Sequence, residues 1–265
     1  VVEKIEVKEN RLPISDLEKA TEYENDTEDL SSYETAWTDT TKARQIPNDP
    51  DDITGGYLIE RDFDNRFLKE VEINESYFIT EAKECFIVRD PEYTSEAQIA
   101  YIDSYVQSVE NAILSAEGID SATGKSYQDL IDVDSFVRKY LLEEITANYD
   151  GGVASSYFYK DSDTIDSRLY AGPVWDYDMS LGNPIMNPRT NQHYISSVSP
   201  YGLFAALPMD EFSIWYRMYE QEDFRKLAAE TYARDFLPLL KELEKGRVDA
   251  LADELQASAL MDGIR

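Results

Sequence analysis

The 265-residue sequence has a single cysteine, Cys85, and a single histidine, His193. One thiol forms no intrachain disulfide, and it cannot build a cysteine-based zinc site, which needs several thiolates. Cys85 sits in the run Glu84-Cys85-Phe86-Ile87-Val88, so it reads as a packed thiol rather than a nucleophile. Histidine-based catalysis would have to run through His193 alone. That residue lies in the polar stretch 187–194 with no nucleophile motif beside it, and it reads as part of a surface loop. No run approaches the roughly 18 apolar residues that a membrane span requires. No signal peptide opens the chain, and its first residue is Val1, which reads as a cut from something longer.

Basic charge is also scarce. There are 25 Lys and Arg against 54 Asp and Glu, for a net charge of −29. A surface of that sign repels phosphate backbones and anionic lipid, so neither nucleic acid nor a membrane is expected as a partner. It favours cations and basic partners, although solubility alone can account for such an excess. Apolar residues make up 42%, with 19 tyrosines and three tryptophans. That content supports a buried core and excludes general disorder.

Periodicity predicts a mixed α+β chain. Ile5 and Val7 alternate with charges, and Ile14 and Leu17 lead into a short helical run. Residues 21–52, acidic and rich in Thr, Asp and Pro, read as loop with some helix. Gly55-Gly56-Tyr57-Leu58-Ile59-Glu60 reads as a turn feeding a strand, with further strands over 69–73 and 84–88. Ile99, Ile102, Val106, Val109, Ile113 and Ala116 recur at spacings of three and four, which predicts a helix over 96–116 capped by Ser95 and stopped at Gly118. A second helix is predicted over 134–147 with Asp134 as its cap. Aromatic runs at 156–160 and 168–175 predict a hairpin around the polar turn 161–166. Residues 182–202 read as a long loop and 203–265 as a helical C-terminal region, with Pro238 bending or dividing one helix.

The order of chemistry-bearing residues suggests phosphoryl transfer. That reaction needs Mg²⁺ on hard oxygen ligands and a carboxylate that orients the attacking hydroxyl. Here a helix ends at Asn148, Asp150 follows in a glycine-containing loop, two aromatic strands intervene, and Asp176-Tyr177-Asp178 closes the unit. Antiparallel strands return the chain to its start, so the acids at the two ends of the hairpin are expected to converge. Lys160 and Arg168 are the nearby cations, read either as phosphate contacts or as a solvated hairpin face. Trp175 reads as core packing. Glu143-Glu144 reads either as a supporting acid or as helix-surface charge.

Asn148-x-Asp150, Ser156-x-Phe158-Tyr159-Lys160, Ala171-Gly172-Pro173-Val174-Trp175-Asp176-Tyr177-Asp178 and Gly182 together resemble the spore-coat CotH kinase family. The segment from Gly55 to Glu60 does so too, and 212–224 more loosely. The resemblance implies an atypical protein-kinase-like fold, mainly its helical C-lobe with a small antiparallel sheet. It implies ATP and Mg²⁺ as cofactors and phosphorylation of Ser or Thr on a protein substrate. It also implies a spore-coat, secreted or cellulosome-associated setting in a bacterium, with a spore-coat or extracellular-matrix protein as partner. By position Asp150 would be the catalytic carboxylate and Asn148 a support for the loop or the metal. Asp176 would hold metal and nucleotide, Asp178 would be a second metal-side acid, and Lys160 a cofactor contact.

Two departures from the pattern stand out. Ser155 occupies the place of a standard kinase's metal-binding Asn, so an oxygen from Ser155, Ser156 or Asn183 is expected there. No Gly-rich loop is visible, and the family's Arg-Gly-Asn segment and lysine-rich strands normally lie upstream. The chain therefore reads as one CotH-like domain over 1–265 that lacks its N-terminal phosphate-binding part. A non-catalytic pseudokinase or interaction module of a coat or cellulosome-type assembly is the alternative. A two-carboxylate glycoside hydrolase is a third reading.

Overall fold

The computed structural model describes residues 5–26, 29–62, 75–148, 151, 154–178, 180–181 and 214–262. Strands β1 (Thr35–Trp37), β2 (Thr41–Arg44), β3 (Tyr57–Asp62), β4 (Ser76–Ile79), β5 (Cys85–Asp90), β6 (Ser156–Lys160) and β7 (Leu169–Ala171) form one sheet in the order β1-β2-β4-β5-β3-β6-β7. Every adjacent pair is antiparallel. With the helices this makes an α+β fold.

One face of the sheet carries the main core. Tyr57 and Ile59 on β3, Phe86 and Val88 on β5, and Phe158 on β6 point to the same side, because alternate residues of a strand share a face. Against them pack helices α2 (Glu96–Leu114), the short α3 (Tyr127–Leu130) and α4 (Val133–Thr146). Trp215, Met218 and Phe224 close the core from α5 (Ile214–Glu220) and α6 (Glu222–Thr231). The opposite face holds Leu58 and Tyr157, covered by Val7 and Leu12 with Trp175 packed at the margin. Trp175 is thus a packing residue, edge-on to Tyr157 with ring centroids 6.5 Å apart.

The expected helices form, with small shifts at their ends. Ser95 caps α2 through a capping box, but the helix stops at Ser115 rather than Gly118. α4 begins one residue early, because Asp132 rather than Asp134 accepts the Ser135 N–H at 2.9 Å. α1 (Leu17–Glu24) extends the short run expected there. Residues 35–44 are a correction: they form the β1–β2 hairpin instead of loop and helix. The second hairpin strand is shorter than 168–175 and ends at Ala171. Beyond α6, the wide-turned segment Tyr232–Phe236 directly precedes α7 (Leu237–Glu242), accommodating Pro238, which has no N–H to donate. The sharper break falls later, at Gly246 with φ +104°, ahead of α8 (Val248–Asp262). The expected strand at 69–73, the loop at 182–202 and His193 lie outside the described residues.

Gly55 and Gly56 have a local reason to be glycine. A Cβ on Gly55 would stand 1.9 Å from the Ser162 backbone nitrogen, and Gly56 has φ +93°. The two residues let β3 enter the sheet hard against the β6–β7 turn, where the Gly56 N–H donates to the Lys160 carbonyl at 2.9 Å. Among the described residues no helix is long and apolar enough to cross a membrane.

Candidate active site

The site is assembled at the C-terminal end of α4. Ala147 stops that helix in the left-handed region, φ +50°. The turn delivers Asn148, which is 3% exposed, with its N–H on the Glu143 carbonyl at 3.1 Å. The Asn148 Nδ2 donates to Glu143 Oε2 at 2.7 Å. A carboxylate only accepts, so this contact fixes the amide with its nitrogen toward Glu143. Its Oδ1 is left buried without a partner. Gly151 continues the loop, its N–H donating to the Asn148 carbonyl at 3.3 Å. A Cβ on Gly151 would lie 2.2 Å from Glu143 Oε2, so the close approach excludes any side chain. Asp150 lies outside the described residues.

The hairpin brings its two ends together. Ser156, the first residue of β6, donates its hydroxyl to the Gly151 carbonyl at 3.2 Å. Its neighbour Ser155 donates to Asp176 Oδ2 at 3.3 Å across the end of the hairpin. The hairpin end is thus closed by a contact between Ser155 and Asp176; Asp150, the acid expected to converge with Asp176, lies outside the described residues. Asp178 lies two residues on and is exposed.

Tyr177 turns inward between these two acids. Its hydroxyl donates to Glu143 Oε1 at 2.6 Å. Lys139 Nζ stands 2.5 Å from the same oxygen, one helical turn before Glu143. Lys139 and Glu143 are 3% and 0% exposed at the side chain, so Glu143 is a buried supporting acid rather than helix-surface charge. Burial and the Glu143 carboxylate hold the Tyr177 phenol well above the usual tyrosine range, so it stays a donor. The segment is pinned again beyond Tyr177. Ser180 Oγ donates to the Tyr177 carbonyl at 2.6 Å, and the Leu181 N–H donates to the Thr146 carbonyl at 2.6 Å.

Backbone strain concentrates here. Among the described residues six non-glycine positions have positive φ, and Ala147, Ser155, Asp176 and Leu181 are four of them. Such conformations are costly for L residues and persist only where the surroundings over-determine them, commonly at functional sites.

The two cations of the hairpin, Lys160 and Arg168, are engaged elsewhere. Lys160 is fully buried four residues along β6 from Ser156, roughly 13 Å at the rise of a strand. Its Nζ donates to the Thr54 carbonyl at 2.7 Å, the Asp161 carbonyl at 3.1 Å and Asp163 Oδ1 at 2.6 Å, between the rings of Tyr101 and Tyr105. The structure therefore does not bring Lys160 to Asp176. Arg168 pairs with Asp166 at 2.6 Å and Asp132 at 2.9 Å, tying the hairpin turn to the start of α4. Cys85 is a buried thiol in no disulfide, its Sγ 3.8 Å from the Lys83 carbonyl oxygen.

The donor chemistry suits a hard cation. Asp176 supplies a carboxylate, Ser155 a hydroxyl on that carboxylate, and Asn148 a buried amide oxygen with no partner. Mg²⁺ prefers such oxygens and keeps several waters, so it does not demand a cage made wholly of protein. Among the described residues no group of three or more His, Cys, Asp and Glu side chains could hold a metal by itself.

Three comparisons with known proteins bear on the site. A family model described as CotH kinase protein matches residues 24–262. No curated protein and no solved structure matches the chain.

Proposed function

The chain belongs to the CotH kinase protein family, a membership that points to a kinase-like function, and on that premise we propose that it transfers phosphate from ATP to Ser or Thr of a protein. In this reading Asp176 binds the Mg²⁺ of the nucleotide, with Ser155, Asn148 and Asp178 as further oxygen donors around it. Asp150 orients the attacking hydroxyl and accepts its proton. Bound Mg²⁺-ATP would supply the phosphoryl group and neutralise its charge; the protein's own work is positioning. The partner would be a spore-coat or extracellular-matrix protein, and the setting the spore coat or the cell exterior.

The observation that carries this reading is the Ser155–Asp176 hydrogen bond across the hairpin end, with the Asn148 amide oxygen buried and without a partner as a second one. The test is Mg²⁺-dependent incorporation of label from γ-labelled ATP into a Ser/Thr-rich protein, run beside Asp150→Asn. The reading expects incorporation that the substitution reduces at least 100-fold, as for loss of a general base. Incorporation equal in both proteins would contradict it.

A second reading is a non-catalytic interaction module. The engagement of Lys160 away from Asp176 favours it, because a kinase also needs a cation on the phosphates. It expects partner binding unaffected by Asp176→Asn.

A further inference from the structure

Glu143 is the acceptor shared by Lys139, Asn148 and Tyr177. Its Oε1 receives Lys139 at 2.5 Å and Tyr177 at 2.6 Å, and its Oε2 receives Asn148 at 2.7 Å. These donors come from three segments: the body of α4, the loop after it, and the Asp176-Tyr177-Asp178 run thirty-four residues beyond Glu143 in the chain. Gly151 lies hard against the same carboxylate, with no room for a Cβ.

A buried ion pair is poor at stabilising a fold, since apolar residues of similar volume often serve as well or better. Lys139 and Glu143 on their own would therefore be a weak design for a helix core. Glu143 does make geometric sense as a common acceptor. Each of its oxygens is committed, and the bonds from Asn148 and Tyr177 each fix one segment relative to the helix. The backbone at the attachment points is held in the left-handed region at Ala147, Asp176 and Leu181, which isolated loops would not adopt.

We propose that Glu143 is a positioning residue: through Tyr177 and Asn148 it sets the placement of Asp176 relative to Asn148 at the end of α4. This rests on the reading of Asp176 as the Mg²⁺-nucleotide ligand. Glu143 itself touches neither metal nor nucleotide. Its role is that of an outer partner that orients a metal ligand, a class whose loss typically costs about 10- to 100-fold in metal affinity. Tyr177 is the arm of this device. Its ring lies 5.2 Å from the Lys139 ammonium, and its hydroxyl makes the one bond from the segment to Glu143 among those described.

The test titrates Mg²⁺ into the full 265-residue chain at fixed trinitrophenyl-ATP, with fluorescence reading bound nucleotide. Tyr177→Phe and Glu143→Gln are run beside it, with far-UV circular dichroism and the thermal midpoint recorded for each. The proposal expects both variants to keep the parent's dichroism and to need about 10-fold more Mg²⁺ for half-saturation. A structural role alone would lower the midpoint and leave the Mg²⁺ half-saturation at the parent's value. That outcome overturns the proposal while the Asp176 reading stands. A parent that binds no nucleotide at any Mg²⁺ concentration overturns both. Should Glu143→Gln fail to fold, Tyr177→Phe, which removes one oxygen from a ring that stays in place, decides the matter.

Discussion

The Tyr177 hydroxyl donates to Glu143 Oε1 at 2.6 Å, joining the segment after the hairpin to the helix before it. Between those residues the chain runs through the loop, two strands and a turn, and then returns to within one hydrogen bond of α4. The Leu181 N–H repeats the return one turn later, on the Thr146 carbonyl. Asp176 is thus anchored from behind by its neighbours, while Ser155 reaches its carboxylate from the hairpin.

Gly151 should not tolerate a methyl group. In Gly151→Ala the added carbon would meet Glu143 Oε2 at 2.2 Å and Cδ at 2.6 Å. A surface glutamate would swing aside, but this one is held by Lys139, Tyr177 and Asn148. Urea unfolding of Gly151→Ala should show a loss of about 1–3 kcal/mol, the usual cost of overpacking. An unchanged midpoint would mean that the carboxylate is not held.

Lys160 should matter for stability. Lys160→Ala leaves the Thr54 and Asp161 carbonyls without their donor and removes the bond to Asp163. Hydrogen bonds to a charged group are worth about 1.5–3 kcal/mol, and Asp163 is half-exposed and recovers solvent, so a loss of about 2 kcal/mol is expected by urea unfolding.

Sequence patterning made the hairpin, α2 and α4 legible because each has a run long enough to show its period. Strands β1 and β2 escaped because they span only three and four residues, too short to show an alternation. The site was half visible. Asn148, Ser155 and Asp176 were visible as candidates in the order of helix, loop, hairpin and acid, and a hydrogen bond joins the last two. The Lys139–Glu143 pair was not, since charges four apart on a helix ordinarily face solvent. Its burial depends on Tyr177, a contact that no local window contains. Lys160 misled for a related reason: a lysine ending a strand gives no sign that the neighbouring turn folds over it.

Asp103 supplies a pH signature away from the site. Burial pushes its carboxyl up to about 6, against about 3.9 for an ordinary aspartate. Between those values the folded chain holds a proton that the unfolded chain has lost, so this group's contribution to stability falls as pH rises through about 6. Asp103→Asn should therefore match the parent near pH 4 and exceed it near pH 7 in thermal midpoint. A gain at pH 4 that vanishes at pH 7 would reverse the sign.

The most direct test of the account is thermal unfolding of the chain with and without Mg²⁺-ATP, beside Asp176→Asn. A ligand that binds only the folded state, at about 100 times its dissociation constant, adds about 2.7 kcal/mol. The account predicts a Mg²⁺-dependent rise of that order in the parent and none in Asp176→Asn. An equal rise in both proteins, or none in either, would contradict the assignment of a nucleotide site to Asp176.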